Sequence, residues 1–122
     1  MASMDVRGRT ILVVDDDASI RFLCRVNLEL EGWTVRDAAT LEDARAILAE
    51  NGVSVVLLDV HVGNDSGVAF LDEVRREHPS TPVVMLTGSV GSTTLDGAAP
   101  DDVIPKPFRL EQLVGTVERV AG

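Results

Sequence analysis

Residues 53–67, VSVVLLDVHVGNDSG, decide the fold of this chain. Four consecutive apolar residues at 55–58 are typical of a strand that is buried on both faces, and the run ends at an acid, Asp59. The residues that follow, 61–67, are rich in turn formers, so we expect Asp59 at the carboxyl end of a central strand. Because open α/β sheets carry their sites at the carboxyl ends of their strands, Asp59 is a candidate functional residue.

Length and composition predict one globular domain in the cytoplasm. The 122 residues suffice for a single core, and 45% apolar and 25% charged residues are ordinary values for such a domain. The apolar runs are too short to span a bilayer, residues 1–9 lack a signal-peptide apolar region, and the single cysteine, Cys24, allows no internal disulfide. A formal net charge of −9 argues against binding of nucleic acid by this chain itself. We expect residues 1–9 to be a flexible tail and residues 10–122 to be the domain.

Other predicted strands also end in polar side chains. The strands and the residues that follow them are 11–14 with Asp15 and Asp16, 83–86 with Thr87, and 103–104 with Lys106. Residues 33–38 alternate between apolar and polar side chains, which is typical of an edge strand with one wetter face.

Apolar residues at helical spacing predict helices between the strands. Asp17 caps the first helix, Thr40 and Asp43 form a capping box before the second, and the third must end before Pro79. The expected inward-facing residues are Ile20, Leu23, Cys24, Val26, Leu28 and Leu30 in the first helix and Leu110, Leu113, Val114 and Val117 in the last. Glycines and a proline interrupt the pattern at 88–102, so a fourth helix there is predicted to be short and frayed.

Alternation of strands and helices predicts a doubly wound (βα)5 fold of the α/β class with a parallel sheet. The three solid apolar runs suit inner strands, which favours the flavodoxin-like strand order 2-1-3-4-5. In that order the first and third strands are neighbours, so Asp15, Asp16 and Asp59 share one crevice, and Thr87 and Lys106 lie on the same rim.

Three neighbouring carboxylates repel one another and call for cations. Oxygen ligands favour Mg²⁺, with Mn²⁺ as the alternative, and no His/Cys set of the zinc type is present. Lys106 can supply a second positive charge, and the hydroxyl of Thr87 can donate to the same oxygen. An exposed carboxylate beside a metal, an ammonium and a hydroxyl suits Asp59 to be an aspartyl nucleophile for phosphoryl transfer.

With these residues in this order, the chain resembles the receiver domains (CheY-like) of two-component response regulators. The residues that carry the resemblance are the acid pair Asp15 and Asp16, the acceptor Asp59, Gly67 eight positions later, Thr87, and the Lys106–Pro107 step. The resemblance implies Mg²⁺-dependent transfer of phosphate to Asp59 from the phosphohistidine of a sensor histidine kinase or a phosphotransfer protein. It also implies that the backbone carbonyl of His61 completes the metal site. Such a domain is a signalling switch rather than an enzyme, although it catalyses its own phosphorylation and slow dephosphorylation.

The resemblance further implies an output face formed by the fourth helix, the fifth strand and the fifth helix of the family fold. An output domain or a downstream protein would read that face, and a second copy of the chain is a further candidate partner. Val103 stands where the family commonly has an aromatic residue that rotates on activation. A receiver scaffold that binds proteins independently of phosphorylation is therefore the alternative. A phosphate-ester hydrolase is poorly supported, because His61 occupies the position where such enzymes place a second acid.

Overall fold

The computed structural model describes residues 8–88 and 99–122 and contains a parallel sheet of five strands. The strands of this sheet are β1 (Thr10–Val14), β2 (Thr34–Ala38), β3 (Val53–Asp59), β6 (Val83–Thr87) and β7 (Asp102–Pro105). A separate antiparallel pair is formed by β4 (His61–Val62) and β5 (Asp65–Ser66). The helices of the described residues are α1 (Ala18–Leu30), α2 (Leu41–Ala49), α3 (Gly67–Glu77) and α4 (Leu110–Ala121).

The strand order of the sheet is β2-β1-β3-β6-β7. Numbered without the short antiparallel pair, this is the order 2-1-3-4-5, so the predicted flavodoxin-like doubly wound fold is confirmed. Alternate residues of β1 enter two separate core clusters, Leu12 in one and Ile11 in the other. Helices α2 and α3 supply the first cluster and α1 and α4 the second, so the four helices of the described residues are divided equally between the two faces of the sheet.

Burial along the strands explains why the sequence pattern predicted this order. The inner strands are the three continuous apolar runs, and residues 11–14, 55–58 and 83–86 are all fully buried. Both edge strands, β2 and β7, combine buried and partly exposed positions. A strand that is covered on both faces can hold only apolar side chains, whereas an edge strand tolerates polar ones.

Side-chain caps set the starts of three helices. The Asp17 carboxylate accepts from the Ser19 N–H at 2.9 Å, and the Thr40 hydroxyl accepts from the Asp43 N–H at 3.1 Å, as predicted. Ser66 caps α3 in the same way, which the sequence pattern did not indicate. Helix α3 ends at Glu77, ahead of Pro79, because the residue before a proline is disfavoured in a helix.

The sequence pattern predicted a broad buried face for α1, and this prediction is wrong because the buried face is narrow. Cys24 and Leu28 are fully buried, but Leu23, Val26 and Leu30 are 37%, 39% and 78% exposed. Helix α1 contacts the sheet and α4 through one narrow stripe, and a residue two positions from that stripe lies about 200° around the helix. The apolar residues at 26 and 30 therefore face outward.

Two predictions of the sequence fall outside the described residues. The frayed fourth helix expected within 88–102 lies largely in the segment 89–98, and most of the predicted tail lies in residues 1–7. Where the chain is described again, the Asp101 carboxylate accepts from the Val83 N–H at 2.8 Å and from Arg75 Nη2 at 2.9 Å. These bonds attach the start of β7 to β6 and α3.

Within the ranges 8–88 and 99–122, none of the helices has the length and apolar character needed to cross a bilayer.

Candidate functional site

Strand register places the predicted carboxylates side by side at the carboxyl edge of the sheet. Val14 of β1 is paired with Leu58 of β3, so Asp15 and Asp59 are the next residues of two hydrogen-bonded strands. Carboxylate oxygens of Asp15, Asp16 and Asp59 all lie within 4.8 Å of one another. The acids that the sequence places in one crevice therefore do meet.

Thr87 and Lys106 reach the same rim from the neighbouring strands. Thr87 ends β6 opposite Pro105 of β7, and the Lys106 N–H donates to the Thr87 carbonyl at 2.7 Å. The Lys106 ammonium donates to Asp15 Oδ2 at 2.8 Å and lies 3.4 Å from Asp59 Oδ2. One ammonium thus links the carboxylates that end β1 and β3.

Burial differs sharply among the three acids. Asp15 is fully buried and Asp59 is 9% exposed, whereas Asp16 is exposed. The second oxygen of Asp15, Oδ1, accepts from the Asp17 N–H at 2.9 Å, so both carboxylate oxygens of Asp15 have protein donors. Asp15 is the fixed member of the cluster, and Asp16 and Asp59 present carboxylate oxygens to the solvent side.

Burial and charge shift the pKa values of two groups in the cluster. Burial raises the pKa of Asp59, the negative charge of Asp15 raises it further, and Lys106 opposes both without cancelling them. Burial acts to lower the pKa of Lys106, but its hydrogen bond to Asp15 and the charges of Asp15 and Asp59 outweigh that effect and raise it. The ammonium is therefore charged at neutral pH, and it stabilises the ionised acids.

Gly67 lies against the backbone of the candidate acceptor. Its N–H donates to the Val60 carbonyl at 2.6 Å, and a Cβ at this position would collide with the backbone carbonyl oxygen of Asp59. Any side chain at 67 would displace the end of β3 or the start of α3. Gly67 is one of the residues that carry the family resemblance, and this close approach gives a physical reason for a glycine at that position.

The loop between β3 and α3 is a short hairpin that the sequence analysis missed. His61 pairs with Ser66 and Val62 with Asp65, and Val62 is buried to 2% exposure. The connecting residues are Gly63, with a positive φ of 63°, and an asparagine. A Gly-Asn pair between two extended segments is a known hairpin signal, so the sequence did contain the information.

A cleft of about 400 Å³ opens over the cluster. Its lining residues are Asp16, Asp59, Val60, His61, Gly63, Thr87, Gly88 and Lys106. The His61 side chain is exposed at the cleft, while the predicted use of its backbone carbonyl as a metal ligand stays a prediction. Pro107 follows Lys106 through a cis peptide bond at the cleft margin.

The donor set fits a hard divalent cation. Three carboxylates and one ammonium leave a formal charge of −2 when all are ionised, and every candidate ligand atom is an oxygen. Mg²⁺ and similar cations take carboxylate, carbonyl and water oxygens. Among the residues that the structure describes, Asp15, Asp16 and Asp59 therefore form the group that could hold such an ion.

Sequence reasoning also missed a contact beneath the acid pair. Arg21 on α1 donates from Nη1 to the backbone carbonyl of Asp15 at 2.7 Å. No spacing rule links an arginine to a carbonyl six residues earlier, and the residue type alone suggests a solvated surface position.

Comparison with known proteins gives one consistent family. The family model for the response regulator receiver domain matches residues 11–118. The nitrogen assimilation regulatory protein NtrX of Azorhizobium caulinodans is 36% identical over 114 residues, which cover 89% of this chain and 25% of NtrX. The transcriptional regulatory protein CpxR of Klebsiella pneumoniae is 39% identical over 115 residues, covering 90% of this chain and 48% of CpxR. The chain thus spans between a quarter and about half of these curated relatives.

Solved structures agree with the sequence relatives. The crystal structure of the receiver domain of NtrX from Brucella abortus has a TM-score of 0.82 and 36% identity, covering 91% of this chain and 97% of that one. A response regulator protein from Burkholderia pseudomallei, crystallised with a phosphorylated aspartic acid, a calcium ion and citrate, has a TM-score of 0.80 and 26% identity, covering 93% of this chain and 68% of that one.

Proposed function

This chain belongs to the response regulator receiver domain family, whose members are signalling switches, and we propose that Asp59 is its phosphoryl acceptor. The observation that carries the proposal is the setting of the Asp59 carboxylate. It lies 3.4 Å from the Lys106 ammonium, within 4.8 Å of oxygens of Asp15 and Asp16, and at the wall of an open cleft. An attacking carboxylate needs such neighbours, because phosphoryl transfer depends mainly on positioning and on neutralisation of charge.

In the proposed reaction a carboxylate oxygen of Asp59 attacks the phosphorus of a phosphohistidine. The new P–O bond forms as the P–N bond breaks, and the leaving imidazole keeps the electron pair of that bond and takes up a proton. Lys106 stabilises negative charge on the phosphoryl oxygens, and the Thr87 hydroxyl donates to one of them. The domain itself provides these groups, so it catalyses its own phosphorylation and later its slow dephosphorylation.

Asp15, Asp16 and Asp59 are proposed to hold Mg²⁺, with Mn²⁺ as a substitute and the His61 carbonyl as a further ligand. When bound, the ion supplies positive charge to the oxygens of the phosphoryl group. Support comes from the all-oxygen donor set and from the related Burkholderia protein, whose structure contains a phosphorylated aspartic acid together with a calcium ion. Lys106 alone leaves the cluster with a formal charge of −2, so a divalent ion would complete its neutralisation.

The proposed partners follow from this chemistry. The donor is a sensor histidine kinase or a phosphotransfer protein that presents its phosphohistidine to the cleft in the cytoplasm. The proposed reader is an output domain or a downstream protein that contacts the face containing β7 and α4. A second copy of the chain could use the same face.

The test is phosphorylation by a small phosphodonor with Mg²⁺, followed by intact-mass spectrometry. We expect the wild type to gain the mass of one phosphoryl group and Asp59→Asn to gain none. Asp65→Asn is the matched control, since Asp65 is exposed in the adjacent hairpin and should leave labelling intact. Labelling of Asp59→Asn to the level of the wild type would refute the proposal.

A second candidate function is supported by Val103. This residue of β7 is partly buried and packs against the core cluster that contains α2 and α3, and it has no aromatic ring to change position. On this alternative the chain binds partners without regulation by phosphate. Amide chemical shifts in β7 and α4 that stay unchanged on phosphorylation of Asp59 would favour it over the switch.

A further inference from the structure

Asp15 lies in the turn between β1 and α1, and all four of its polar atoms make hydrogen bonds. Its N–H donates to the Ala38 carbonyl at 3.1 Å, and its Oδ1 accepts from the Asp17 N–H at 2.9 Å. Oδ2 accepts from the Lys106 ammonium at 2.8 Å. The remaining atom, the backbone carbonyl, accepts from Arg21 Nη1 at 2.7 Å. Arg21 is therefore part of the framework that fixes this turn.

The same contacts determine where Asp16 points. The peptide group before Asp16 is held at its carbonyl by Arg21, and the peptide group after it is held at its N–H by Asp15 Oδ1. Because peptide groups are planar, fixing both of them fixes the direction of the Asp16 Cα–Cβ bond. The Asp16 side chain is itself exposed, so its aim depends on the backbone beneath it.

The guanidinium of Arg21 is oriented by a second group. Its Nε lies 3.8 Å from Asp37 Oδ2, and Asp37 Oδ1 lies 3.4 Å from Arg25 Nη2. The Arg21 side chain is only 20% exposed, whereas those of Asp37 and Arg25 are 33% and 36% exposed. Ion pairs this exposed contribute little to stability, so the value of the contact lies in holding the planar fork of Arg21 against the carbonyl.

We propose that Arg21 is a positioning residue for the divalent-cation site, acting through the Asp15 carbonyl to aim the Asp16 carboxylate at the cation. This inference rests on the part of the proposed function in which Asp15, Asp16 and Asp59 hold that cation. The direction in which cation affinity changes on removal of Arg21 distinguishes positioning from simple electrostatics. Removal of a nearby positive charge should strengthen cation binding by Coulomb attraction, whereas removal of a positioning group should weaken it.

The experiment measures Mn²⁺ affinity by calorimetry or electron paramagnetic resonance, without any phosphodonor. We expect Arg21→Met to bind Mn²⁺ about tenfold more weakly than the wild type, a loss that is ordinary for groups that orient metal ligands. Arg25→Met is the matched control. It removes the same charge one turn further along α1, from a side chain whose ion pairs are with Asp37 and Glu29.

A second variant, Arg21→Lys, keeps the charge and most of the stem. A single ammonium lacks the guanidinium fork that spans the Asp15 carbonyl and Asp37, so we expect a loss of about threefold, smaller than that of Arg21→Met. If Arg21→Met fails to give the wild-type circular dichroism spectrum, Arg21→Lys decides the question alone.

The outcomes are distinct. Weaker binding in the Arg21 variants, with Arg25→Met unchanged or tighter, supports the proposal. Unchanged or tighter binding in the Arg21 variants, or an equal loss in Arg25→Met, overturns it. A wild-type chain that does not bind Mn²⁺ contradicts the cation site of the proposed function as well. Failure of Asp59 to accept phosphate, with Mn²⁺ binding intact, leaves the inference on Arg21 standing.

Discussion

Replacement of Gly67 by alanine tests whether helix α3 and the backbone of Asp59 are packed too closely for any side chain. The new Cβ would collide with the carbonyl oxygen of Asp59 and would lie 2.9 Å from that of Val60. Both contacts are with backbone atoms, which cannot rotate away as the end of a flexible side chain would. The hydrogen bond from the Gly67 N–H to the Val60 carbonyl, 2.6 Å long, would be strained by the same movement.

The expected free energy combines opposing effects. At an ordinary helical position, a change from glycine to alanine stabilises a protein by about 1 kcal/mol. At Gly67 the overpacking costs about 1–3 kcal/mol, and weakening of the hydrogen bond costs about 1 kcal/mol more. We therefore expect Gly67→Ala to lower the free energy of unfolding by about 1–3 kcal/mol. Gly115 of α4 is the matched control, because among the described residues its Cβ would meet no atom within 4 Å apart from its chain neighbours and the backbone of its own helix, and Gly115→Ala should gain about 0.5–1 kcal/mol.

Urea denaturation followed by far-ultraviolet circular dichroism measures both variants against the wild type. The two alanines should move the midpoint in opposite directions. A Gly67→Ala protein that is as stable as the wild type, or that is stabilised like Gly115→Ala, would refute the account of this contact. A folded Gly67→Ala protein should also bind divalent cations more weakly, because the Asp59 backbone must move to make room.

Three other changes probe the charges around the sheet. Lys106→Met leaves the fully buried Asp15 without its ammonium, so unfolding should become easier by about 3 kcal/mol, and millimolar Mg²⁺ should restore part of that loss in a urea titration. Burial raises the pKa of the Cys24 thiol to about 12, so a disulfide reagent at pH 8 should modify the native chain about a thousandfold more slowly than the urea-unfolded chain; similar rates would contradict this. The hydrogen bond from Arg119 lowers the pKa of Asp102. The resulting stabilisation of the fold is fully present above the ordinary pKa of 3.8, and it is lost as the pH falls through the lowered pKa. Asp102→Asn should therefore lower the urea midpoint at pH 7, and the gap to the wild type should close in strong acid.

The strands could be predicted because local pattern and tertiary burial coincide in them. The run at 55–58 is apolar at every position, and each of these residues is fully buried between two layers of helices. A polar residue at the end of such a run is expected at the carboxyl ends of the strands, and this pattern identified Asp59 and Thr87 as candidate site residues. The strand order then followed from the distinction between continuous and alternating runs.

Helix faces and loop geometry were harder to predict, because they depend on neighbours that sequence spacing does not reveal. Helix α1 carries more large apolar residues than its contact with the sheet and α4 can bury, so Leu30 remains 78% exposed while Leu28 is fully buried. The hairpin after Asp59 was missed for a different reason. Each of its two strands is two residues long, and of these four residues only Val62, at 2% exposure, is buried in the core.

The side-chain partner of Lys106 shows most clearly where residue types stop being informative. The sequence indicates an ammonium at the rim of an acidic crevice, and it leaves open which carboxylate that ammonium binds. The structure places Nζ 2.8 Å from Asp15 and 3.4 Å from Asp59, so the shorter bond goes to the acid that is fully buried. Burial without a partner would be most costly for Asp15, and the geometry assigns the strongest donor to it. The Asp59 carboxylate is consequently less tightly bound and borders the open cleft, and both properties suit the nucleophilic attack that we propose for it.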